Sequence, residues 1–251
     1  MRLSKNVQAT LLSGAIGAMF ALGMNAAACV MPSQRPPAES VTPSLAVVGP
    51  PGAGLVVGYA REHPDPAVNG PFADKLESGE IKIVAKKPKG DKLATFGPSG
   101  DGYSLTIDPD LLKPKPTRSE FEDALSVLSH EHAHYLQFIE GQMTNYHPAG
   151  KPMTETRCTL VILVEIDAHG KSCRDARRYG WTSRQAVGAC ERTPATIAEF
   201  IYKDRSDAYP VCKDVWAFFA GKSKWSGNSK RKMRSLAEAR PRNAPVYLPP
   251  P

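Results

Sequence analysis

The sequence predicts an α+β domain in which a small sheet precedes a helical lobe. Residues 53–108 hold short apolar or alternating runs separated by glycine and proline, a pattern typical of short strands. From Thr117 onward the apolar residues recur at three- and four-residue spacing, as they do on one face of a helix. The 23 prolines concentrate in 32–51, in 109–116 and at the C-terminus, which places linkers and loops there. We therefore expect one folded domain over 53–221, with an extension on each side.

The first 28 residues have the order of a secretory signal. Arg2 and Lys5 form a basic head, and the apolar stretch from Thr10 to Ala28 ends in three small residues. A membrane-spanning helix is the alternative, but three glycines interrupt the stretch. We expect residues 1–28 to direct export to the periplasm or cell envelope of a bacterium.

A cysteine follows this segment directly. Cys29 resembles the lipidated cysteine of bacterial lipoproteins, which implies anchoring of the chain to the membrane. Residues 29–52 would then be the proline-rich tether between the bilayer and the domain. The alternative is cleavage without acylation, which leaves an odd thiol.

The predicted sheet uses three runs. Leu55–Val57, Ile81–Ile83 and Tyr103–Ile107 are apolar or alternating and are bounded by glycine or proline. A short helix around Pro71–Ser78 interrupts them.

The helix predicted at 118–140 carries signals at both ends. Thr117 and Glu120 have capping-box spacing, and Gly141 supplies a stop. Its apolar residues recur at helical spacing: Phe121, Leu125, Leu128, Leu136 and Ile139.

This helix contains the pattern His130-Glu131-x-x-His134. Histidines four residues apart leave the same helix face one turn apart, so both rings can bind one Zn²⁺ ion. Glu131 is rotated about 100° from His130, where it can take a proton from a water that the metal activates. His132 is about 200° from His130 and cannot share its metal. The alternative is a solvated histidine-rich face, which the apolar residues of the helix disfavour.

A second helix, predicted over 154–170 between Thr154 and Gly170, offers a third ligand. Glu165 lies in an apolar segment, and a buried carboxylate needs a partner. A divalent cation is one candidate partner. A salt bridge to Arg157 or Arg174 is the alternative.

The residues His130-Glu131-x-x-His134, followed 31 positions later by Glu165, resemble the gluzincin type of zincin metallopeptidase. The resemblance covers about 50 of the 251 residues. It implies a zincin-like fold with a small, mostly antiparallel sheet, one zinc ion and hydrolysis of peptide bonds. The metzincin pattern is not met, because Gln137 and Glu140 stand where it needs glycine and histidine.

The resemblance also implies supporting roles. Gluzincins commonly place an acidic residue four positions after the ligand glutamate, where it supports a ligand histidine. His169 occupies that position here and is the expected supporting residue, with a role as third ligand as the runner-up. An edge strand that binds the substrate backbone is expected at 102–108, just before the motif helix.

Four cysteines remain for two disulfides in an oxidising compartment. In a helix over 155–169, Cys158 and Cys173 lie roughly 20 Å apart, too far to pair. Each would then pair with Cys190 or Cys212, and of these two sets we favour Cys173–Cys190 with Cys158–Cys212.

The formal net charge of +7 does not indicate nucleic-acid binding. Much of the excess lies in residues 222–251, a basic tail that ends in prolines and that we expect to be disordered. Basic residues interleaved with aromatics on a folded face, which a nucleic-acid site would need, are not evident.

Two functions remain. The first is a zinc metallopeptidase of the cell envelope that acts on a peptide or protein substrate. The second is a non-catalytic envelope lipoprotein that uses the zincin fold as a binding or scaffolding module. Retention of Glu131 favours the first, because zinc binding alone does not require it.

Overall fold

The computed structural model describes residues 40–43, 52–90, 92–139, 153–205 and 210–222. The expected signal segment, Cys29, most of the expected tether and nearly all of the basic tail lie outside these residues. In the part that is described, no helix is long and apolar enough to cross a membrane.

The described chain is α+β, as predicted, with seven α-helices and a three-stranded sheet. The helices are α1 (Ala53–Glu62), α2 (Ala73–Glu77), α3 (Arg118–Ile139), α4 (Glu155–Tyr179), α5 (Arg184–Glu191), α6 (Pro194–Arg205) and α7 (Lys213–Phe219). The strands are β1 (Ile81–Ala85), β2 (Ala94–Ser99) and β3 (Gly102–Ile107). A π-helical turn, Val68–Phe72, leads into α2.

The sheet has the order β1-β3-β2 and is mixed, not mostly antiparallel as expected. β3 pairs in parallel with β1, Ile81 opposite Tyr103, and antiparallel with β2, Ala94 opposite Ile107. β3 is therefore the central strand, and β2 is an edge strand.

The strand expected at Leu55–Val57 is wrong, because these residues lie in α1. This helix buries Val56, Val57, Tyr59 and Ala60 against the first core cluster. A Cβ on Gly58 would lie 2.5 Å from the Thr42 carbonyl oxygen, so glycine there permits residues 41–42 to pack on α1. Part of the segment expected to be a tether thus contacts the domain.

The predicted start of the motif helix is confirmed, whereas the expected stop at Gly141 lies outside the described residues. The Thr117 backbone N–H donates to the Glu120 carboxylate at 2.8 Å, and the Glu120 N–H donates to the Thr117 hydroxyl at 3.3 Å. The Thr154 hydroxyl likewise accepts from the Arg157 N–H at the start of α4. However, α4 does not end at Gly170. It continues to Tyr179 and ends at Gly180, whose φ of 67° suits glycine.

The core has two clusters of buried apolar residues. The first joins α1, α2, the sheet and α3, and the second joins α4, α6 and α7 around the fully buried Trp216. Because Val164 of α4 belongs to the first cluster and Val161, Ile162 and Ile166 belong to the second, α4 connects the two.

The carboxylate of Glu122 on α3 accepts from the N–H groups of Thr182 and Ser183, which fixes the start of α5.

Candidate metal centre

Helices α3 and α4 bring three potential ligands together. The Nε2 atoms of His130 and His134 lie 3.1 Å apart, and Glu165 Oε2 lies 3.4 Å from the first and 3.6 Å from the second. These residues form a group that could hold a metal ion. The expected carboxylate of α4 therefore faces the two imidazoles of the motif, and 29% of its side chain stays exposed.

The spacing of these atoms fits one zinc ion. Ligands at zinc bond lengths of about 2.0–2.1 Å and tetrahedral angles are separated by about 3.4 Å. The three observed separations bracket that value. Two imidazole nitrogens and one carboxylate oxygen are also a donor set that catalytic zinc sites use, with one position left for water.

Without a metal, the ligands compensate one another electrostatically. Burial opposes protonation of His134, but the Glu165 carboxylate outweighs it and raises the pKa of His134 to about 9. Burial also favours the neutral form of Glu165, yet His134 and His130 hold the pKa of its carboxyl well below the usual range. The protonated His134 ring therefore forms an ion pair with the Glu165 carboxylate. A cation bound at this group would take the place of the His134 proton.

Glu131 lies beside this group without belonging to it. Its side chain is 3% exposed, and burial raises the pKa of its carboxyl group. A hydrogen bond from the backbone of Phe96 in β2 acts in the opposite direction. Among the described residues, its Oε2 atom has no hydrogen-bond partner. A buried carboxylate oxygen without a partner is costly, so a water or a substrate group is the expected occupant of the space that it faces.

The other histidines near the motif have different surroundings. His132 is buried on the far side of α3, where its ring packs against Phe72 and Tyr135, consistent with a structural role. His169 lies against His130, with ring centroids 4.5 Å apart and planes at 59°. Burial and the neighbouring His130 lower the pKa of His169 to about 3, so its ring is neutral.

The hydrogen-bond partner of His134 comes from its own helix. Gln137 Oε1 lies 2.8 Å from His134 Nδ1, and Gln137 Nε2 donates to the Val164 carbonyl at 2.9 Å. Sequence reasoning missed this residue. Its only signal was a position three residues after His134, which places the two side chains on neighbouring rows of the helix.

The three potential ligands and Glu131 line a cleft of about 470 Å³. One wall is β2 with the segment before it, and the floor is formed by α3 and α4. Residues of α5, α6 and the turn between them form the opposite wall. The cleft contains all five predicted site residues of α3 and α4: His130, Glu131, His134, Glu165 and His169.

The strand at the cleft is β2, not the strand predicted at 102–108. The latter is β3, which pairs on both sides and has no free edge. The Asp108 N–H donates to the Leu93 carbonyl at 2.8 Å, so the backbone groups of Leu93, and of alternate residues after it, face β3. Those of Ala94, Phe96 and Pro98 face away. Proline is tolerated at such a position because no ladder hydrogen bond is lost.

Both expected disulfides are present. Cys158 pairs with Cys212, and Cys173 pairs with Cys190. The second bridge joins α4 to α5, which forms part of the cleft wall. Cys29 lies outside the described residues, and the structure gives no account of it.

Comparisons with protein families, with curated proteins and with solved structures found no match to this chain. The function is therefore argued from the residues and geometry of the site.

Proposed function

We propose that the chain is an exported zinc peptidase, with His130, His134 and Glu165 as metal ligands and Glu131 as the proton-transfer group. The observation that carries this proposal is the placement of Glu131. A buried carboxylate, one oxygen of which has no hydrogen-bond partner in the described part of the chain, lies beside three potential ligands whose spacing fits zinc. Metal storage or a structural metal would need no such group.

In the proposed reaction, a bound zinc ion would supply Lewis-acid polarisation of the scissile carbonyl and would acidify the attacking water. Glu131 would take the proton of that water as general base. The same carboxylate would then deliver the proton to the leaving amine nitrogen. The raised pKa of Glu131 suits the first step, because burial makes its carboxylate a stronger base for the proton of the water.

Edge strand β2 supports a peptide as the substrate. The outward N–H of Ala94 and the outward carbonyl oxygens of Ala94, Phe96 and Pro98 line the same cleft as the metal ligands, whereas the Phe96 N–H already donates to Glu131. An extended peptide can add to such an edge through main-chain hydrogen bonds. Strand addition would lay a peptide bond across the site, beside Glu131.

Export and membrane tethering are part of this proposal. The two disulfides are compatible with an oxidising compartment outside the cytoplasm. Anchoring through acylated Cys29 would keep the enzyme at the cell envelope, where its peptide substrates would lie.

The test compares the wild type with Glu131→Gln. Metal analysis should find one zinc per chain in both proteins, because Glu131 is not a ligand. Cleavage of a peptide library should occur with the wild type, and its rate should fall by about 10²- to 10⁴-fold in the variant. Glu155→Gln, an exposed glutamate of α4, should cleave like the wild type. Stoichiometric zinc in a wild type that cleaves no peptide would contradict the peptidase and favour the binding module.

A further inference from the structure

Gln137 joins the two helices that carry the metal ligands. It is 5% exposed, and both ends of its amide are engaged. One end meets His134 on α3, and the other meets the carbonyl of Val164, the residue before Glu165 on α4. One side chain therefore links a ligand histidine to the backbone that positions the ligand carboxylate.

The chemistry of the two partners fixes how this amide is oriented. A carbonyl oxygen can only accept a hydrogen bond, so the Val164 carbonyl must face the NH₂ group of Gln137. The Gln137 oxygen then faces His134 Nδ1, and an amide oxygen can only accept. His134 must therefore carry hydrogen on Nδ1. In the neutral ring, the free electron pair is then on Nε2, which is the atom that faces His130 and Glu165.

We propose that Gln137 is the positioning residue of this metal site: it selects the metal-binding tautomer of His134 and holds α3 and α4 at the separation that the ligands require. The inference rests on the proposed zinc site. It assigns to an amide of α3 the supporting role that the sequence placed on His169 of α4. A neutral amide supports the histidine without adding negative charge. Among the three proposed ligands, the negative charge is then that of Glu165.

Zinc affinity of the purified protein tests this role apart from catalysis. Gln137→Leu removes both hydrogen bonds at nearly constant volume. Competition with a chromogenic chelator should show zinc binding weakened by about 10- to 100-fold, the usual effect of losing the partner of a ligand histidine. The visible absorption bands of Co²⁺ in the site should also shift, because they report ligand geometry.

Gln137→Glu separates the two contacts. A carboxylate still accepts from Nδ1–H but cannot donate to Val164 when ionised. This variant should recover most of the zinc affinity that Gln137→Leu loses. Unfolding by urea should show that both variants are less stable than the wild type.

Ser172→Ala is the matched control. Ser172 and Ser126 also join α4 to α3 through buried hydrogen bonds, but these hydrogen bonds involve no ligand histidine. The stability of Ser172→Ala should fall, while the zinc affinity and the Co²⁺ spectrum of this variant should equal those of the wild type. Unchanged zinc affinity in folded Gln137→Leu, or equal losses in Gln137→Leu and Ser172→Ala, would overturn the inference. A wild type without zinc affinity would refute the metal site and this role together, whereas zinc binding without peptide cleavage would refute only the peptidase.

Discussion

His134 and Glu165 form an ion pair that the proposed zinc ion would displace. Burial alone would keep both groups neutral, and their mutual attraction reverses this in each case. Because the pKa of His134 is raised to about 9, its proton stabilises the metal-free fold fully below about pH 6.5, and that contribution is lost as pH rises through 9. The proposed zinc ion would therefore compete with the proton for the same nitrogen.

Zinc affinity should accordingly rise with pH. Between about pH 6.5 and 9, binding releases the His134 proton, and the apparent affinity should increase by about tenfold per pH unit. Titration calorimetry in buffers of different ionisation enthalpy measures the number of protons released. A zinc affinity that is flat over this range would show that His134 is already unprotonated in the metal-free protein.

At the level of residues, the spacing within α3 predicted which side chains would meet. His130, Glu131 and His134 could be placed because helical geometry alone decides their directions. Glu165 could be proposed because a carboxylate in an apolar segment needs a partner. Gln137 could not be assigned, since its role depends on a carbonyl 27 residues away in sequence. That separation is bridged only when α3 packs on α4.

Edge strand β2 is the element through which substrate binding can be tested. The Ala94 N–H faces away from β3, so Ala94→Pro would remove a donor to the proposed peptide substrate and leave the sheet intact. One hydrogen bond contributes about 0.5–1.5 kcal/mol, which corresponds to a fall in kcat/KM of about 2- to 10-fold. Peptide hydrolysis and thermal unfolding of the same samples measure the two effects.

Thr95→Pro is the control for that substitution. The Thr95 N–H faces β3, so its loss should lower the free energy of unfolding by about 1 kcal/mol or more. Equal kcat/KM for Ala94→Pro and the wild type would contradict strand addition at β2.

The elements that the sequence mispredicted show where local patterns mislead. Leu55-Val56-Val57 has strand-like composition, but the burial of one face against α2 and β1 makes it helical. Strand β2 was not among the predicted runs, and its Gly97-Pro98 fits there because an edge strand needs no N–H on its outer side. Gly170 continues α4, where a Cβ would lie 3.3 Å from the movable Arg174 guanidinium, so this glycine does not act as a chain terminator.

At the scale of the whole molecule, α4 is the common support of the fold and the site. It carries Glu165, connects the two core clusters, and holds one cysteine of each disulfide. Cys158 and Cys212 are fully buried in the second cluster. The oxidised chain therefore fixes both α5 and the C-terminal helices to the helix that positions the ligand carboxylate.

The two disulfides should differ in how much they stabilise the chain. Their cysteines are separated by 54 and 17 residues, and the entropy of loop closure gives about 4 and about 3 kcal/mol. Replacing Cys158 and Cys212 by alanine should therefore lower the free energy of unfolding in urea more than replacing Cys173 and Cys190. Loss of the Cys173–Cys190 bridge should instead disturb the structure of the cleft more, because α5 contributes to the cleft wall. The reverse order of stabilities would mean that native packing around Cys173–Cys190, and not loop length, dominates.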